Sequence, residues 1–143
     1  METFKGVVAL TYKNQRNPRF IILRRKKNWE GWETPKGHLE DENYEKTVRI
    51  ELEEEAGVSD REIEEIEEMG ETLEWTQEDE GEDVKRIYRA FLVRVDENSH
   101  VDVSGNPDDE HKEGYFFRYK DAKAMLTYED NVELLEKAKE MID

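Results

Sequence analysis

The chain predicts an α/β domain in which a mixed sheet lies between helices. Three observations carry this: runs rich in β-branched and aromatic residues in both halves of the chain, a strongly patterned helix between them, and two helical patterns at the end. Its 143 residues suit a single domain, residues 1–143, with a real core, and are short for two.

Phe4 to Tyr12 and Arg19 to Leu23 are apolar-rich, and Asn14 to Pro18 supplies turn chemistry between them, which predicts a two-stranded hairpin. Lys26 to His38 is rich in Trp, Gly and Pro and reads as a loop. A helix follows from about Asn43 to Ala56, with Asp41 or Asn43 as N-cap and Gly57 just past its end. The acidic stretch Ser59 to Glu68 has Ile63 and Ile66 as its apolar points and reads as a short helix or loop. Thr72 to Gln77 and Val84 to Val95 form a second predicted hairpin around the acidic turn Glu78 to Asp83. Asn98 to Asp109 reads as a loop, Gly114 to Tyr119 as a short aromatic strand, and Asp121 to Leu126 and Glu129 to Met141 as helices. No repeat or low-complexity segment interrupts this order.

The central helix holds the chemical signal. With about 100° per residue, Tyr44, Val48, Leu52 and Ala56 form its apolar stripe; Glu55 falls inside that stripe, Glu51 at its edge and Glu54 just beyond. A carboxylate aimed at a packed interior costs several kcal/mol unless it is paired or coordinated. Clustered carboxylates without a basic partner call for cations, and hard oxygen ligands suit Mg²⁺ or Mn²⁺. Such ions neutralise phosphate charge and activate water, which is what cleavage of a phosphoanhydride needs.

The segment Gly37 to Val58, GHLEDENYEKTVRIELEEEAGV, resembles the signature of the Nudix hydrolase family: a Gly, a spaced Glu, then Arg-Glu-apolar-any-Glu-Glu-any-Gly-apolar. Glu51, Leu52, Glu54, Glu55, Gly57 and Val58 match its second half. Two departures stand out. Four residues, not five, separate Gly37 from Glu42, and Ile50 replaces the Arg, with Arg49 one position earlier. The resemblance implies an α/β/α sandwich and a metal-dependent pyrophosphohydrolase. It implies Glu51, Glu54 and Glu55 as catalytic metal ligands, the Lys36 backbone carbonyl as a further ligand, and a carboxylate from a distant loop, for which Glu110 is the candidate. Trp32, Thr34, Pro35, Lys36, Gly37 and His38 resemble the diadenosine tetraphosphate hydrolase branch, as does Glu110-His111 ahead of an aromatic strand. The substrate so implied is a dinucleoside polyphosphate, with nucleoside triphosphates, ADP-ribose or 5′-triphosphate RNA as alternatives, and a non-catalytic nucleotide-binding domain as the reading from another class.

A net charge of −16 repels long nucleic acid, so a small nucleotide polyphosphate is the expected partner. Arg24, Arg25, Lys26, Lys27 and Lys36 form a local basic patch, of which Arg25, Lys27 and Lys36 are expected to meet phosphate. His38, His111 and Lys85 are further candidates, and Trp32, Tyr115, Phe117 or Trp29 could stack on a base. No apolar run reaches membrane-span length. The start lacks a basic n-region and cleavage pattern, and the chain has no cysteine, so a reducing cytoplasm is the expected location.

Overall fold

The computed structural model describes residues 1–143. Its elements are β1 (Glu2–Lys13), β2 (Arg19–Arg25), β3 (Gly31–Glu33), β4 (Lys36–His38), α1 (Tyr44–Ala56), β5 (Ile63–Asp79), β6 (Glu82–Val95), β7 (His111–Arg118), α2 (Tyr119–Met125) and α3 (Glu129–Ile142). The strands join in one sheet with the path β3-β2-β1-β6-β5, while β4 pairs with β1 and β7 with β2. β1 runs parallel to β6, and the other pairings are antiparallel, so the sheet is mixed.

Alternation along β1 creates the layers. Val8, Leu10 and Tyr12 pack with Phe20, Ile22, Tyr88 and Leu92 against Val132, Leu135 and Ala138 of α3. Val7 and Ala9 point the other way and pack with Ile21, Leu23 and Val93 against Val48, Leu52 and Ala56 of α1. The result is the α/β/α sandwich. No helix is long and apolar enough to cross a membrane.

Three segments differ from expectation. Lys26 to His38 contains β3 and β4, each only three residues long and thus too short to show alternation; β4 pairs Gly37 with Val7. Ser59 to Glu68 holds a single 3-10 turn, Asp60–Glu62, and then extends as the start of β5. The helix-like spacing of Ile63 and Ile66 arises from a register shift between Ile63 and Glu65, which turns both toward the α1 side of the sheet. Because β5 is an edge strand, its outward glutamates also discourage pairing with another chain. The last strand begins at His111 rather than Gly114, and this brings His111 opposite Arg25.

The α1 boundaries follow the sequence signals. The Asn43 side chain accepts a hydrogen bond from the Lys46 backbone N–H at 3.0 Å, while Asp41 pairs with the Lys46 ammonium instead of capping. Gly57 ends the helix with φ of 69°, a left-handed conformation that costs glycine nothing. Together the two caps fix where α1 begins and ends. An Asn43→Ala change is expected to lower unfolding free energy by about 1 kcal/mol, and Leu52→Ala, at a fully buried position, by roughly 2–5 kcal/mol; urea titrations measure both.

Candidate active site

The strand β4 crosses the end of α1 and draws its carboxylates inward. The Lys36 backbone N–H donates to Glu55 Oε1 at 2.9 Å. Gly37 lies so close to Glu51 that a Cβ would overlap the Glu51 carboxylate, so any other residue there would displace that carboxylate. Glu51 and Glu55 are 8% and 4% exposed, and Glu54 is half-buried. Burial, followed by the neighbouring charge of Glu54, pushes the Glu51 carboxyl up to about 8. Burial and then Glu51 and Glu33 raise Glu55 well above the usual carboxylate range, and burial and then Glu40 raise Glu54. Arg49 does not relieve this crowding, because it donates to Asp60 at 3.0 Å and Glu45 at 3.3 Å on the outer face. Glu42 is exposed, so neither residue of the displaced Arg–Glu pair reaches the cluster.

The distant loop supplies what the sequence suggested and one group more. Glu55, Glu110 and His111 each place a ligand atom within 4.8 Å of the others. Glu51 and Glu54 stand outside that tight group. Buried carboxylates held above their usual pKa range, one of them filling the space beside Gly37 that a Cβ would take, fit a divalent cation of the kind oxygen ligands favour.

Beside this cluster sits Glu33, which sequence reasoning missed. It is 2% exposed and meets His111 Nε2 at 2.8 Å, Arg25 Nη1 at 3.0 Å and the Lys36 ammonium at 3.1 Å, the last within ion-pair distance but not aligned as a hydrogen bond. Burial pushes its carboxyl up, yet the His111 hydrogen bond and the charges of Lys36 and Arg25 outweigh burial and hold it at about 2. Arg25 also reaches Glu110 at 3.3 Å, so its guanidinium braces carboxylates at the cavity wall.

A cavity of about 630 Å³ opens next to Glu110, lined by the basic side chains Arg25, Lys27, Lys36, His38 and Arg86 and by Gln77, Glu78 and Asp79. Trp29, Trp75 and Tyr88 provide its aromatic surface. The Lys36 ammonium lies 4.7 Å from the Trp75 ring centroid, and Arg86 Nη1 is 3.3 Å from the His38 ring. Burial and then the Arg86 charge lower the His38 pKa.

Four expected substrate contacts lie elsewhere. Trp32, Tyr115 and Phe117 sit together on the α2/α3 side of the sheet, with Trp32 and Tyr115 at 5.8 Å and 6.0 Å from Phe117, because the β2 pairings place them level with Arg24, Ile22 and Phe20. Lys85 faces away from the cavity and pairs with Glu74 at 3.5 Å, since alternation along β6 gives the cavity position to Arg86. Trp75, Tyr88 and Arg86 were missed as site residues. Their signal was the alternation of two strands whose cavity-facing side could be recognised only after pairing.

Buried carboxylates on a helix, joined through Glu110 to a basic and aromatic cavity, fit the construction of a hydrolase that cleaves phosphoanhydrides with divalent metal. The NUDIX domain family model matches residues 3–138, and the chain belongs to that family. No curated protein sequence matches it. Among solved structures, it is similar to the C. elegans Ap4A hydrolase in a binary complex, with 20% identity, a TM-score of 0.75 and 97% of each chain covered. It is also similar to the E. coli dihydroneopterin triphosphate pyrophosphohydrolase, with 13% identity, a TM-score of 0.73, and 96% of this chain and 97% of that one covered. The NUDIX domain of Shewanella oneidensis NrtR complexed with ADP ribose matches at 17% identity and a TM-score of 0.72, covering 100% of this chain and 90% of that one. At these identities the likenesses establish the fold.

The raised Glu51 carboxyl has a consequence for stability. From the ordinary carboxylate value of 4.5 up to about 8, the unfolded chain has released a proton that the folded, cation-free chain still holds, so stability falls as pH rises across that interval. In urea titrations of chelator-treated protein, Glu51→Gln is expected to flatten this decline. Saturating Mg²⁺ should reverse it in the wild type.

Proposed function

We propose that this chain hydrolyses a phosphoanhydride of a nucleoside polyphosphate, most favourably diadenosine tetraphosphate, with residues 1–143 acting as one catalytic unit. The observation that carries this reading is the continuity between the Glu55–Glu110 cluster and a cavity that is basic near the carboxylates and aromatic along its walls. A polyphosphate chain would lie where Lys27, Lys36, His38 and Arg86 offset the protein's acidic field, and Trp29 and Trp75 would offer faces to purine bases at about 1–3 kcal/mol each. Resemblance to the Ap4A hydrolase fold supports the same substrate.

Glu51, Glu54 and Glu55 would hold Mg²⁺ or Mn²⁺, with Glu110 and the Lys36 backbone carbonyl completing the set. The bound ions would supply charge neutralisation and a more acidic water. With the ions held in this way, one carboxylate of α1 would be left able to take the water's proton. Glu33 keeps the Lys36 ammonium at the mouth of the cluster, while Arg25 holds Glu110 in place. A reducing cytoplasm suits a cysteine-free chain with this substrate.

Product analysis after incubation with Mg²⁺ and, in parallel, diadenosine tetraphosphate, nucleoside triphosphates, ADP-ribose and 5′-triphosphate RNA tests the reading. Cleavage of the dinucleotide is expected to be fastest and to fall about 100-fold or more in Glu55→Gln, the scale of losing a group that stabilises the transition state. Faster cleavage of another substrate would overturn the substrate assignment. Nucleotide binding without any cleavage would make this a binding domain.

A further inference from the structure

We propose that His111 is a nitrogen ligand of the divalent cation at Glu55 and Glu110, so that this metal centre mixes imidazole with carboxylate. The inference rests on the reading above that Glu55 holds a cation. Its first support is position, because a ring nitrogen of His111 lies within 4.8 Å of ligand oxygens from both Glu55 and Glu110. Its second support is an unsatisfied donor set. The His111 side chain is fully buried, Nε2 meets Glu33 Oε2 at 2.8 Å, and Nδ1 has no hydrogen-bond partner. A buried imidazole serving only as packing would be expected to satisfy both nitrogens.

The surroundings suit ligation. A carboxylate on one ring nitrogen fixes the tautomer and orientation of a metal-binding histidine and strengthens the other nitrogen as a donor. Glu33 is itself pinned by Arg25 and Lys36, so the ring is held rigidly. Glu110 meets Arg25 through Oε2 at 3.3 Å, a long contact that leaves its other oxygen for a cation. The starting point of β7 decides all of this, since pairing His111 with Arg25 is what carries the imidazole into the α1 layer. Imidazole nitrogen favours Mn²⁺ over Mg²⁺, which takes oxygen almost exclusively. This chain should therefore prefer Mn²⁺ more strongly than an all-oxygen site would.

Pulsed electron paramagnetic resonance of the whole chain loaded with Mn²⁺ tests the assignment without a variant. A directly bound imidazole gives ¹⁴N coupling, and labelling histidine with ¹⁵N changes its pattern. The coupling is expected to vanish in His111→Gln and persist in His38→Gln, the cavity histidine. The Mn²⁺ dissociation constant should rise about 10-fold or more in His111→Gln, with a smaller rise for Mg²⁺. Bound Mn²⁺ without nitrogen coupling, or coupling lost in His38→Gln instead, would overturn the proposal. Nitrogen coupling in a chain that cleaves no nucleotide would uphold the ligand and overturn the hydrolytic reading, so the two fail separately.

Discussion

Two carboxylates, Glu51 and Glu55, are enclosed between α1 and β4, and much of the local architecture serves to keep them there. Enclosing like charges is costly, and the raised carboxyls of both residues show that nearby protein groups do not neutralise them. The Asn43 and Gly57 caps set the ends of α1, and the packing of Val48, Leu52 and Ala56 on the sheet sets the rotation that turns these side chains inward. A glycine at position 37 lets the β4 backbone approach Glu51, and the Lys36 N–H gives Glu55 its hydrogen bond. The apolar contacts of Val48, Leu52 and Ala56 provide the burial that offsets the cost, at roughly 1.5–3 kcal/mol for a large aliphatic side chain.

Glu33 shows the opposite solution a short distance away. It is as deeply buried as Glu55, yet Arg25, Lys36 and His111 converge on it and hold it ionised at about 2. One buried carboxylate is thus charge-balanced within the protein, and its neighbours on α1 are not. The contrast separates a bracing role from a cation-binding one by charge balance alone. Within the basic patch, Arg25 turns inward to brace Glu33 and Glu110, while Lys27 lines the cavity without a carboxylate partner.

The helix and its glutamates were legible in the sequence because a 3.6-residue period assigns every side chain an angle from local spacing alone. Glu55 fell within the apolar stripe of Val48 and Leu52, and it is buried with them. Strand faces were less legible, since alternation leaves two choices that only pairing resolves; Arg86 and Lys85 are adjacent, and one lines the cavity while the other faces Glu74. The same ambiguity misplaced Trp32, Tyr115 and Phe117, whose aromatic character suited stacking but whose register sets them on the α2/α3 side. β3 and β4 were hidden by their length, and with them the reason Glu33 and Gly37 meet the end of α1.

The chemistry of this chain depends on the enclosed carboxylates of α1 being a cation site. Anomalous diffraction from crystals of the wild-type chain equilibrated with Mn²⁺, recorded at the manganese absorption edge, tests this most directly. An anomalous peak is expected in coordination contact with Glu55, bounded by Glu110 and facing the cavity. An absence of manganese at α1, with Glu51 and Glu55 instead hydrogen-bonded to each other or to water, would contradict it.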